Sequence, residues 1–256
     1  MRSLRLLAYG WAHHFKIMSR DPFNGFLAVT WPLFFATVAF FMFRTSGDAQ
    51  TLFLASLGAT VMGMWSVTST SAGAAMQRER WHGTLELLVA TPVHFSLILL
   101  PITLAMSTIG LYCLVSTLLW GRFLFGIDLQ IEQPLLFFIA VPATIVSIGL
   151  LGFLLAVTCV RYRTGWALGN ALEFPVWLVC GLLVPVTLLP DWVRPISWAL
   201  APTWGMNAMR ESATGGSVFP DVAACLALGL GYGLAGVLVL ETVLRSARAR
   251  ATLSLT

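Results

Sequence analysis

The stretch ERWHGTLELLVATP, Glu79 to Pro92, is a charged, helix-compatible island between two long apolar runs, and its reading decides how the rest of the chain is laid out. Arg78, Glu79, Arg80 and Glu86 interrupt Leu85, Leu87, Leu88 and Val89. That pattern predicts a short amphipathic helix over residues 77–91 that cannot be buried in lipid and lies along a membrane face. Gly83 breaks or bends it, Thr84 and Glu86 offer polar contacts on the exposed side, and Pro92 ends it before the next apolar run.

The flanks are membrane material. Of 256 residues 58% are hydrophobic and only 10% charged, against about 45–50% and about 25% in a soluble domain. A water-soluble fold could not cover that much apolar surface, so the chain is an all-α integral membrane protein. Cys113, Cys159, Cys180 and Cys225 each lie inside an apolar run without paired spacing, which fits buried small hydrophobes rather than a metal or disulfide framework.

Working outward from the island, six spans are predicted, at about 26–43, 51–75, 95–120, 135–160, 168–189 and 222–240, within a transmembrane domain over 22–256. The first, Phe26 to Phe43, carries no charge over 18 residues, about 27 Å of helix. The second is unlike it, with Gly58, Thr60, Gly63 and the run Ser66, Thr68, Ser69, Thr70 and Ser71. Such residues either permit close helix packing or line a polar path, and hydroxyls can satisfy themselves on their own helix. Ahead of the spans, residues 1–21 form an amphipathic helix instead of a signal peptide. Leu4, Leu7, Trp11, Phe15 and Met18 share one side and Arg2, Arg5, Tyr9, His13, Lys16 and Arg20 the other. It is expected to lie in the interface with its cations at headgroups, a solvated helix packed on protein being the other reading. Residues 190–221 form an outer segment rich in proline and tryptophan.

Six spans put both termini on one side. With that side inside, the inner segments hold Arg2, Arg5, Lys16, Arg20, Arg78, Arg80, Arg161, Arg163, Arg245, Arg248 and Arg250, eleven of the fifteen cations. The positive-inside rule selects this orientation, with both termini cytoplasmic. It also disposes of nucleic acid as a partner, since the cations sit at scattered helix ends. Little in the chain suggests an enzyme: His13, His14, His82 and His94 fall in inner segments, and Glu173 is the only acid within a predicted span. Two readings of Glu173 stand, an interfacial residue in the first turns of the fifth span or a partner for substrate or for an inner-face arginine. No phosphate-binding G-x-x-x-x-G-K-[ST] run occurs, so ATP-driven work requires a separate chain.

The pattern of Glu79, Gly83, Thr84, Leu85, Glu86, Leu88, Thr91 and Pro92 resembles the loop between spans two and three of type-two ABC export permeases. A second likeness lies in Leu189-Pro190, Trp192, Ile196, Pro202-Thr203-Trp204, Ala208 and Arg210, similar to the family's outer segment, which folds partly back into the bilayer as short broken helices. The resemblance implies two permease chains, identical or related, paired with two cytoplasmic ATPases that bind ATP and Mg, no cofactor being expected in this chain. It also implies that residues 77–91 form a cytoplasmic coupling helix docked on the ATPase, in the plasma membrane of a bacterium. Spans two and five then line the dimer interface, placing Thr60, Ser66, Ser69, Glu173, Phe174, Trp177 and Pro185 along a mixed apolar and hydroxylated path. That path suits an amphiphilic drug, antibiotic or lipid better than a polysaccharide or glycolipid. A non-transporting membrane scaffold and an ion-coupled secondary carrier are the rivals from other classes.

Overall fold

The computed structural model describes residues 2–43, 49–83, 87, 91, 93–127, 131–161, 165–182, 186 and 189–250. Among them no strand occurs, and the helices are α1 (Arg2–Arg20), α2 (Pro22–Phe43), α3 (Ala49–Trp81), α4 (Ser96–Phe125), α5 (Pro134–Arg161), α6 (Gly165–Val179), α7 (Arg194–Trp198), α8 (Ala201–Thr214) and α9 (Val218–Arg250). Helix is what an apolar solvent demands, because each backbone N–H and C=O must find its partner within the chain. Among the described residues four stretches are long and apolar enough to cross a membrane: Gln50–Ser71 in α3, Ser96–Phe125 in α4, Pro134–Val160 in α5 and Val218–Arg245 in α9. Shorter apolar stretches, Pro32–Met42 in α2 and Ala167–Val179 in α6, run beside them.

Small residues set how the helices meet. α3 and α4 are antiparallel, with Gly63 against Cys113 and Gly110 against Met64. α2 runs with α4, since Trp120 Nε1 donates to Thr37 Oγ1 at 2.9 Å and Phe40 packs on Phe125 with ring centres 4.5 Å apart. α6 runs against α3: Gly169 meets Ser69, Glu173 meets Ser66, and Leu182 just past the helix meets Gly58. α9 runs with α5 along a glycine seam, Gly229 on Ser147, Gly233 on Leu150 and Gly236 on Phe153. Close approach of this kind brings membrane helices together without a hydrophobic driving force. Phe40, Trp65 and Phe153 are fully buried in the resulting core. On the far side of α9, Phe219, Leu230, Leu234 and Leu238 are each 63–68% exposed, a row that water would penalise and hydrocarbon accommodates.

α1 packs along α4. Gly10 meets Pro101, Trp11 Nε1 donates to Thr108 Oγ1 at 3.1 Å, Phe15 stacks on Tyr112, and the Tyr112 hydroxyl donates to Ser19 Oγ at 3.2 Å. The contact positions advance together, so the two helices share a direction. Met18 is buried and Phe15 half-buried against α4, while Leu4 stays exposed. The apolar face of this helix is therefore spent largely on protein, and Arg5, His13, Lys16 and Arg20 remain outward.

Three boundaries differ from the sequence reading. α3 runs on to Trp81, so residues 77–81, placed above at the start of a separate helix, are its last turn and more. Polar residues beyond the lipid keep their own ladder and need no apolar solvent. α9 likewise runs to Arg250 rather than stopping near residue 240. α6 ends at Val179, ten residues short of the expected end of the fifth span. There Gly181 takes a left-handed φ of 69°, Cys180 N–H donates to the Val176 carbonyl, and Leu182 N–H reaches back to the Trp177 carbonyl at 3.3 Å. That is the closing pattern of a helix on a left-handed glycine.

The fold-back of the chain after α6 explains the early stop. α8 runs beside the first half of α5: Gly205 sits on Thr144, while its last turn accepts hydrogen bonds from Glu132 and Gln133 N–H at Ala213 and Ser212. Thr144 is ten residues into α5, about 15 Å from its start. The turn between α7 and α8 therefore lies well down the bundle, and α8 climbs back out. It is held by Thr203 Oγ1 donating to the Ser197 carbonyl at 2.7 Å and by Trp204 Nε1 donating to the Trp198 carbonyl at 2.8 Å.

Candidate transport path and coupling segment

The candidate coupling segment, Glu79 to Pro92, begins in the last turn of α3. Trp81 is 74% exposed, and His82 and Gly83 turn the chain, Gly83 with a φ of 67° that only glycine adopts freely. The Glu79 side chain and residues Thr84, Leu85, Glu86, Leu88 and Pro92 lie outside the described residues, and Leu87 is exposed. Thr91 is half-buried, and Phe95, buried, fixes the start of α4 through Leu99 N–H donating to its carbonyl at 3.1 Å. Between this foot and the end of α9 lies a cleft of about 310 Å³, lined by Thr91, His94, Phe95, Glu241 and Arg245 among others. Sequence reasoning missed it; the signal was the Glu241–Arg245 pair one turn apart, whose atoms stand 3.4 Å from each other.

The proposed path residues separate into two kinds. Most hydroxyls of α3 turn onto their own helix: Thr60 Oγ1 donates to the Ser56 carbonyl at 3.0 Å, Thr68 to Met64, and Ser69 and Thr70 to Ser66. They relieve themselves locally and let neighbours approach. Ser66 alone of this group reaches across, donating from Oγ to Glu173 Oε1 at 2.6 Å. Glu173 is the ninth residue of α6, past its first turns, and half-buried. One turn on, Trp177 is 4% exposed and edge-on to Phe35 at 4.6 Å and to Phe174 at 4.9 Å between ring centres. Phe174 is 61% exposed beside it. Phe35 was absent from the sequence reading, since nothing in its own run distinguishes it from the phenylalanines around it. Pro185 lies outside the described residues.

In the outer segment the residues do structural work. Pro202 is buried in the first turn of α8, where a missing N–H costs nothing, Pro190 and Trp192 are exposed, and Trp204 ties α8 to α7. Arg210 reaches from α8 to the end of α6, donating from Nη2 to the Gly181 carbonyl at 2.8 Å. It thus serves a carbonyl that the closing turn of α6 leaves over at depth. The family model described as ABC-2 type transporter matches residues 6–213 of the chain. A comparison with curated proteins returned no match.

Proposed function

The chain belongs to the ABC-2 type transporter family, and on that premise we propose that it exports amphiphilic molecules, drug, antibiotic or lipid, powered by a separate ABC ATPase. It is a multi-pass membrane protein and a permease subunit of an ABC transporter, a component that associates with an ABC ATPase. In the proposed cycle ATP and Mg bind the partner, whose closure pushes the segment from Glu79 to Pro92. α3 transmits the push as one uninterrupted helix of 33 residues, about 50 Å long. α6, whose Leu168, Phe174 and Leu178 are exposed, offers an apolar face for a second permease chain. Both termini and the cations at the inner ends of the spans, Arg78, Arg80, Arg161, Arg163, Arg245, Arg248 and Arg250, lie on the cytoplasmic side.

The observation that carries the amphiphile reading is the α3–α6 seam, where a carboxylate bonded to Ser66 sits beside an exposed aromatic face. The test is purification from the native membrane followed by reconstitution. An ABC ATPase should co-purify, and proteoliposomes holding both chains should move a fluorescent amphiphile only with hydrolysable ATP. Recovery without any ATPase would favour a scaffold, and transport on an ion gradient alone would favour a secondary carrier.

A further inference from the structure

We propose that the α3–α6 seam binds the cationic headgroup of the exported amphiphile, with Glu173 as counter-ion and Trp177, Phe35 and Phe174 as an aromatic wall; this rests on the export reading above. A carboxylate within a membrane-crossing bundle is costly unless something positive answers it. Glu173 Oε1 accepts from Ser66, and Oε2 has no partner among the described residues. No described cation supplies one: Arg210, the cation that reaches α6, is engaged with the Gly181 carbonyl at the other end of the helix. Among the described residues the charge is therefore held in place by a hydroxyl and left open to an incoming positive group.

The surroundings suit a cation joined to an apolar body. Trp177 lies four residues on from Glu173, hence on the same helix face, and the rings of Phe35 and Phe174 stand edge-on to it at 71° and 73°. Trp and Phe faces attract alkylated ammonium or phosphonium centres within about 6 Å. The Trp177 Nε1 is buried without a partner among the described residues. The exposed Phe174 opens the seam onto the face offered to the second permease chain, so the tail of an amphiphile would lie between the two chains. Ser66 is five residues from the end of the crossing stretch at Ser71, about 8 Å. An anionic amphiphile would meet an unanswered negative charge and be excluded.

The test compares two probes of one shape and opposite charge, tetraphenylphosphonium and tetraphenylborate. Binding to the purified full-length permease in zwitterionic nanodiscs is measured without ATP and corrected against empty nanodiscs. Wild type should bind the phosphonium at least about tenfold more tightly than the borate. Glu173→Gln should erase that preference and Glu173→Asp should keep most of it. Trp177→Leu should weaken the phosphonium severalfold and leave the borate unchanged, so the proposal stays decidable if Glu173→Gln does not accumulate. Equal binding of the two probes by wild type, or an unchanged preference in Glu173→Gln, would overturn it. ATPase co-purification and ATP-driven transport are read without either probe, so failure here leaves the export reading standing, and its failure is seen separately.

Discussion

Replacing Arg210 by methionine should destabilise the protein by about 2–3 kcal/mol. The Nη2 donor sits 2.8 Å from the Gly181 carbonyl, at the point where α6 ends well inside the bundle. A hydrogen bond from a charged donor contributes about 1.5–3 kcal/mol net, and a buried acceptor left bare costs about 1–3 kcal/mol, two descriptions of largely the same loss. Methionine keeps most of the apolar stem, so little packing is lost besides. Arg210→Lys should recover part of the difference, because an ammonium offers a single point of contact where the guanidinium presents a fixed fork. Unfolding of the purified protein by graded addition of a denaturing detergent, followed by circular dichroism, would read both variants. An Arg210→Met midpoint equivalent to wild type within about 0.5 kcal/mol would refute the reasoning. It would mean that the end of α6 does not depend on the segment that folds back beneath it.

Gly58→Ala should cost about 1–3 kcal/mol, because its Cβ would collide with the Leu182 backbone carbonyl, which has no rotamer by which to yield; an unchanged thermal midpoint and monodisperse elution would contradict this. Gly229→Leu should disrupt the α5–α9 seam, where a Cβ would stand 2.8 Å from Ser147 Oγ, while Gly231→Leu faces open space and should be tolerated. Equal folded yields of the two would argue against that seam.

The helices themselves were legible because hydrocarbon selects on hydropathy, and the apolar runs beginning near Phe95, Leu135 and Val222 became α4, α5 and α9. Their ends were less so. Leu182 to Leu189 remains apolar beyond Val179, and hydropathy cannot register that a left-handed Gly181 stops the helix there while α8 fills the space below. Gln77 to Trp81 is polar enough to suggest a new element, yet the α3 ladder simply continues through it. At the seam, the family resemblance put Ser66, Thr60, Ser69 and Glu173 on one path. It could not tell that Thr60 and Ser69 turn inward on α3 and that Ser66 crosses to a residue 107 positions away. Arg210 was noticed only as part of a pattern, since its partner is a backbone carbonyl and carries no sequence signal.

The central claim, that the segment from Glu79 to Pro92 couples a partner ATPase to movement of α3, is tested most directly by counting ATP hydrolysed against amphiphile moved in proteoliposomes that contain both chains. Glu86→Lys should insert, elute as a single species and permit hydrolysis while transport is lost, because the reversed charge would oppose the polar contact we propose between Glu86 and the ATPase without touching the spans. Normal transport by this variant would contradict the account.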